Sequence, residues 1–352
     1  PFGLPTPTND LVMFGRRDRL GASRTGQGGY GSAETAAQGD ATRLARDAAA
    51  DGMDAVVVFS GDGTINEAAN GVHGTRTALT CLPGGSGNVY NKMLGLPVDV
   101  IDATERLLRR ADEWEPREVL MGVVNDRRFL FSAGCGLDAA VAGHVDSNPR
   151  WKHKFNENYF TYAALRVYFT RYLPNPPVLE TTWTGCEEPL RGVTTVVQKG
   201  DPYTFFDQLP IRASDGARLE DPVLAGMSLR TVRPTIVPGI IWRLFSQTRN
   251  LTDHRQIDGF GPTPEVLVRL DDVQARLGDH AGEVLQQPVA IPTVDLDLDP
   301  ERALVVAVPG HRHEPLGCLA QRHAVRAVVP VDRDAAAQRH VADDRIAGHR
   351  PA

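Results

Sequence analysis

One unit occurs twice between residues 55 and 94, and it constrains the fold more than any other feature. A short apolar run ends in a glycine-rich turn, and a helix-like segment follows. In the first copy Ala55-Val-Val-Val-Phe leads into Ser60-Gly-Asp-Gly-Thr, and Ile65 to Val72 reads as a helix. In the second, Leu79-Thr-Cys-Leu-Pro leads into Gly84-Gly-Ser-Gly-Asn, with a helix around Asn88–Leu94. Continuous apolar runs of this length mark strands buried on both faces, as in parallel sheets covered by helices. Asp40 to Asp51 reads as a further helix, with Asp40 as N-cap and Gly52 as its stop, and Val100 to Arg110 as another. The alternation predicts a parallel α/β domain.

Past Glu118 the pattern changes. Val119–Val124 and Arg128–Ser132 read as a hairpin around Asn125-Asp126, and Phe155–Leu173 as a basic, aromatic amphipathic helix. Runs rich in β-formers follow at Val193–Gln198, Met227–Val232, Val266–Leu270 and Asp295–Val308. These predict a mostly antiparallel β domain carrying one long helix. The expected organisation is an irregular lead-in over 1–34, an α/β domain over 35–118, a β-rich domain over 119–310 and a disordered tail over 311–352. Five of the ten histidines lie in that tail, without a metal-ligand spacing.

Charge narrows the partners. With 38 Lys and Arg against 44 Asp and Glu, the net charge is -6, which argues against a general nucleic-acid binder. The four cysteines form no CxxC pair, so reduced thiols of a cytosolic protein are expected. No apolar run reaches the roughly 18 residues of a membrane span, so any membrane contact is expected to be peripheral.

The glycine turns carry the chemistry. Glycines let a backbone approach a ligand closely, and N–H groups at a helix start bind phosphate. Asp62 lies between two glycines, where it can meet a magnesium–nucleotide complex. Glu67, one turn into the helix, can anchor the loop from behind. The second turn ends the next strand of the same pattern, so both face one crevice of the sheet. Ser86 and Asn88 are expected to supply hydrogen bonds there. No Gly-Lys-Ser/Thr follows, so this is not a Walker A loop.

Phe59-Ser-Gly-Asp-Gly-Thr-Ile-Asn-Glu and Leu82-Pro-Gly-Gly-Ser-Gly-Asn, in this order and separation, resemble the catalytic domain of diacylglycerol and sphingosine lipid kinases, which also occurs in bacterial lipid kinases. Weaker likenesses are Thr35-Ala-Ala-Gln-Gly-Asp-Ala, Ser132-Ala-Gly-Cys-Gly-Leu-Asp-Ala and Ala217-Arg-Leu-Glu-Asp-Pro-Val. The resemblance implies an NAD-kinase/phosphofructokinase-like first domain and ATP and Mg2+ as cofactors. It implies nucleotide contacts from Thr35, from Ser60, Gly61, Asp62, Gly63, Thr64, Ile65, Asn66 and Glu67, and from Gly85, Ser86, Gly87 and Asn88. Asp138 would meet the lipid headgroup, and the segment holding Arg218, Asp221 and Val223 would hold a structural magnesium. Asp279 aligns with the family's base, and Glu283, four residues on, is its substitute; Asp62 completes the catalytic set.

The sequence departs from the family pattern in places. No Asn-Pro-x-x-Gly turn occurs within residues 1–34. Val89 stands where an Asp is usual, Pro222 replaces a Gly, and Leu277 replaces the acid two residues before the base. The expected activity is ATP-dependent phosphorylation of a lipid hydroxyl, diacylglycerol first, by a cytoplasmic protein that touches membranes reversibly. A homodimer is left open. The alternatives are a sphingoid-base kinase, an NAD kinase, and a catalytically impaired lipid- or nucleotide-binding protein.

Overall fold

The two apolar runs lie side by side as parallel strands, Ala55–Ser60 (β3) and Ala78–Pro83 (β4), paired in register from Ala55 and Ala78 to Ser60 and Pro83. They cross through the helix Asp62–Val72 (α2), as a parallel connection requires. This is a computed structural model of the chain, and it describes residues 10–15, 30–85, 87–109, 116–124, 127–206, 208–246, 250–270, 304–307 and 324–328.

The sheet around β3 and β4 is mixed rather than parallel. Its order is β2-β1-β3-β4-β18-β5, with β1 Leu11–Gly15, β2 Tyr30–Glu34, β5 Pro116–Leu120 and β18 Ala324–Val328. Only β3–β4 and β4–β18 run parallel; β1 runs antiparallel to both β2 and β3, and β5 antiparallel to β18. A flanking strand that joins without a crossover helix has no need to run parallel. The flanks come from segments lacking the apolar-run pattern. Two of them, β1 and β2, fall in the stretch expected to be an irregular lead-in, and β18 falls in the stretch expected to be a disordered tail. For those residues the expectations do not hold.

Helix Asp40–Ala50 (α1) packs on α2 against this sheet through Ala41, Ala45 and Ala48, all buried with Val56, Val58, Ile65 and Leu79. Alanine permits the close approach: a Cβ on Gly71 of α2 would stand 2.7 Å from the Cβ of Ala45. The helices Val89–Met93 (α3) and Val100–Arg109 (α4) follow β4.

The second half is built of antiparallel sheets. One has the order β10-β9-β16-β17-β6-β7, with β6 Gly122–Val124, β7 Arg127–Phe129, β9 Leu179–Trp183, β10 Leu190–Gly192, β16 Glu265–Leu270 and β17 Leu304–Ala307. The other is β15-β14-β11-β8, with β8 Ser132–Gly136, β11 Thr194–Gln198, β14 Leu224–Leu229 and β15 Ile257–Thr263. Phe129, Leu179, Val266 and Val268 of the first pack on Ala133, Val197, Leu224 and Phe260 of the second. A two-stranded ribbon, β12 Thr204–Phe206 with β13 Leu209–Ile211, stands apart.

Among the described residues of this half are the α-helices Leu137–Asp146 (α5), Pro149–Val167 (α6) and Val237–Phe245 (α7). The long helix begins six residues before the sequence suggests, and Tyr168–Tyr172 continue it as one π-helical turn. The chain passes from the first sheet to the second at Met121, between β5 and β6. None of the described helices is long and apolar enough to cross a membrane.

Candidate active site

The two glycine turns meet at the ends of β3 and β4. Gly84 N–H donates to the Ser60 carbonyl at 3.1 Å. A Cβ on Gly84 would stand 2.9 Å from the Ser60 Cα, closer than real Cβ atoms approach backbone. Only glycine permits this contact.

Asp62 joins the two loops. The helix α2 starts at Asp62, three residues earlier than the periodicity predicts, with extended Gly61 as its N-cap. One Asp62 oxygen accepts the Val89 N–H at 3.0 Å and the other the Tyr90 N–H at 2.9 Å. The carboxylate thereby satisfies two N–H groups of the first turn of α3, donors that a helix cannot satisfy internally. Burial pushes the Asp62 pKa up, against the pull of those two N–H groups and of Lys92.

Glu67 reaches the other way. Its carboxylate accepts the N–H of Gly39 at 2.9 Å, at the left-handed N-cap of α1. Burial raises its pKa, opposed by the N–H groups of Gly39 and Ala41 and by Arg127. Asp40 is therefore not the N-cap: it accepts the N–H groups of Ala36 and Ala37 in the preceding turn. Thr35 sits just before that turn and donates its N–H to the Asp10 carbonyl at 2.9 Å. The hydroxyl of Thr64 donates to the Asp10 carboxylate. Asp10, which no sequence signal marks, thus links Thr35 and Thr64.

Asn66 and Asn88 have structural work to do. Buried Asn66 donates to the Arg128 carbonyl at 3.2 Å and accepts the Leu130 N–H at 3.1 Å, bolting α2 to the second domain. Asn88, left-handed at φ 47°, accepts the Gly85 N–H at 2.9 Å and returns its amide N–H to the Gly85 carbonyl at 2.7 Å. Its amide thereby closes its own loop. Ile65 is a core residue, 0% exposed. Gly63 is buried within α2. A Cβ on Gly61 would stand 3.4 Å from the Gly85 Cα, and one on Gly87 3.3 Å from an Asp62 oxygen. Ser86 lies outside the described residues.

Asp138 stands on the first turn of α5. One oxygen accepts the Tyr203 hydroxyl at 2.7 Å; the other is buried without a partner, as is the Tyr172 hydroxyl. Burial pushes the Asp138 pKa up. The two sites connect through α3. The Lys92 ammonium stands 5.3 Å from the centre of the Phe205 ring, and Met93 meets the backbone beside Gly200. Phe205 is two residues from Tyr203. Tyr203 stands in no motif, and Tyr172 reads only as part of the basic, aromatic helix.

The turn holding Arg218, Asp221 and Val223 is engaged by Lys199. Its Nζ donates to the carbonyls of Arg218 at 2.6 Å, Leu219 at 3.1 Å and Asp221 at 2.6 Å. Burial lowers the Lys199 pKa to about 8, opposed by Asp221 and Glu220. No cluster of three His, Cys, Asp or Glu side chains suited to a metal occurs among the described residues. Asp279, Glu283 and Leu277 lie outside those residues.

Comparison with known proteins places these features. Residues 26–115 match the family model of the diacylglycerol kinase catalytic domain. A protein named "Probable lipid kinase YegS-like" from Chromohalobacter salexigens is 40% identical over 107 residues, 29% of this chain and 33% of that one. The diacylglycerol kinase of Bacillus subtilis is 31% identical over 135 residues, 37% of this chain and 43% of that one. The chain thus matches less than half the length of these relatives. A diacylglycerol kinase crystal structure from Bacillus anthracis superimposes with a TM-score of 0.55 at 18% identity, over 78% of this chain and 81% of that one. Residues 26–115 are therefore similar in sequence to the diacylglycerol kinase catalytic domain, and the chain shares the fold of a bacterial diacylglycerol kinase crystal structure.

Proposed function

We propose that this chain is an ATP-dependent lipid kinase that phosphorylates a lipid hydroxyl, with diacylglycerol as the first acceptor and phosphatidic acid as the product. One observation carries the reading: two glycine loops pressed backbone to backbone, with the Asp62 carboxylate holding the start of α3 across them. Phosphoryl transfer asks little covalent chemistry of a protein and much positioning. The loops supply position. The first N–H groups of α2 have no partners within the helix and suit phosphate oxygens. Each Asp62 oxygen accepts one N–H and keeps a lone pair, so the residue fits a divalent ion. Such an ion, when bound, would offset phosphate charge.

In this reading the lipid enters on the side of Asp138, whose partnerless oxygen suits a headgroup hydroxyl. Asp279 takes the hydroxyl proton, with Glu283 as its substitute. The lipid oxygen bonds to the γ-phosphorus as the bond to the ADP oxygen breaks. Reversible membrane contact draws support from Trp151, Phe160, Tyr162, Leu165 and Phe169 on the α6 segment, all exposed, and from exposed Ile241 and Trp242 of α7. The test is turnover with ATP, Mg2+ and diacylglycerol in mixed micelles, with NAD as the rival acceptor. Phosphatidic acid formation is expected. Phosphorylation of NAD alone, or of no acceptor, would overturn the proposal.

A further inference from the structure

The resemblance implies a structural magnesium at the turn Arg218–Val223, but the carbonyls there converge on an ammonium. Lys199 is 0% exposed. Its three N–H donors meet three carbonyl acceptors, those of Arg218, Leu219 and Asp221, which exhausts its hydrogen-bonding capacity. A buried ammonium is costly unless its charge is met by dipoles or counter-charges. Here the three carbonyl dipoles meet it.

A magnesium ion does not fit beside it. The ion needs near-octahedral oxygens at about 2.0–2.1 Å. Two of the implied ligand residues, Arg218 and Asp221, already give their carbonyls to Nζ at 2.6 Å. An ion on those oxygens would face a unit positive charge a few ångströms away. We propose that Lys199 is the resident cation of this turn: its ammonium replaces the magnesium implied by the family likeness, and the turn binds no divalent ion.

The position of the clasp gives it consequence. Between the bonded carbonyls, Leu219 also accepts the Leu120 N–H at 2.9 Å, from the strand that ends the first domain. The Lys199 N–H donates to the Phe131 carbonyl at 2.6 Å. A Cβ on the next residue, Gly200, would stand 2.2 Å from the Met93 methyl of α3. The ammonium therefore fixes the turn where both domains and the α3 helix meet, and no metal is needed to hold that junction. The inference is independent of the kinase reading, because its readout is stability.

Thermal unfolding of the full chain without nucleotide tests it, in magnesium chloride and in EDTA. The variants are Asp221→Asn, which weakens a metal site at the turn, and Lys199→Met, which keeps the length of the stem without its charge. The wild type is expected to show no magnesium-dependent rise in Tm that Asp221→Asn removes. Lys199→Met should lower Tm by about 5 °C or more, because the Arg218 and Asp221 carbonyls lose the ammonium that gathers them and Leu219 keeps only the Leu120 N–H. A magnesium-dependent rise in the wild type that Asp221→Asn abolishes would overturn the proposal. So would a Lys199→Met protein with the wild-type Tm. Should Lys199→Met fail to fold, the comparison of wild type with Asp221→Asn decides alone.

Discussion

A Cβ on Gly85 would stand 2.6 Å from the Cα of Gly61, so the two loops that end β3 and β4 touch backbone to backbone. The neighbour is main chain and cannot rotate away. Gly85→Ala is therefore expected to separate the loops, at a cost of about 1–3 kcal/mol for overpacking. ATP affinity should fall with it, since the phosphate cradle widens. Calorimetric titration with Mg-ATP and a denaturant melt check both. Unchanged affinity would mean that ATP does not bind where these loops meet.

Asp62 offers a sharper probe. Asn keeps one oxygen for an N–H and turns an NH2 toward the other. One of the Val89 and Tyr90 donors then loses its acceptor, and the carboxylate charge is gone. Asp62→Asn is expected to abolish detectable turnover and to lower stability by about 1–3 kcal/mol. A folded Asp62→Asn protein with normal kinase activity would remove the central functional claim.

Part of this site was legible in the chain. Apolar run, glycine turn and helix are local signals, so β3, α2, β4 and the place of Asp62 follow from pattern alone. What Asp62 binds does not follow, because Val89 and Tyr90 lie 27 and 28 residues away. That the Asn88 amide also closes its own loop on Gly85 does not follow either, because the turn's hydrogen bonds depend on its backbone geometry. The strands β1, β2 and β18 escaped because each is only five residues long and lies outside the repeated unit of apolar run, glycine turn and helix. Lys199 escaped for a different reason: its three acceptors are main-chain carbonyls, and any sequence can supply those.

Asp138 sets a pH dependence. Burial raises the Asp138 pKa above the ordinary aspartate value. In the window just above that value the unfolded chain has released the proton and the native one still holds it. Stability is therefore highest below the window and falls as pH rises through it. Asp62 and Glu67, also raised, act with the same sign. Asp138→Asn, which keeps an acceptor for Tyr203, should exceed the wild type in Tm at neutral pH. That advantage should shrink toward about pH 4. An advantage that grows on acidification would mean the carboxyl is not raised.

Membrane contact is tested on the exposed aromatic residues. Phe169 is 58% exposed and Trp242 60%. Neither is needed for the core, so a Phe169→Ser, Trp242→Ser double variant should fold with a Tm near the wild-type value. Its recovery with anionic liposomes in a sedimentation assay should fall several-fold, as expected when buried aromatic area drives interfacial binding. High salt should weaken the wild-type interaction only in part, because apolar burial is not screened. Equal recovery of variant and wild type would remove these residues from the contact.

The last prediction concerns the base. Proton removal from a lipid hydroxyl needs an acceptor within about 2.6–3.2 Å. Asp62 is held by two N–H groups at the start of α3, so a second carboxylate must take the proton. Asp138 is poorly suited, since Tyr203 already donates to one of its oxygens and burial favours its neutral form. By resemblance the role falls to Asp279, one methylene shorter than a Glu in that place. Asp279→Ala is expected to lower kcat about 10²-fold or more while ATP affinity holds, and Glu283→Ala to do less. If Glu283→Ala stops turnover and Asp279→Ala is silent, the base is one helical turn's worth of sequence further on. If both variants turn over normally, the proton leaves by another route and no carboxylate of this segment acts as base.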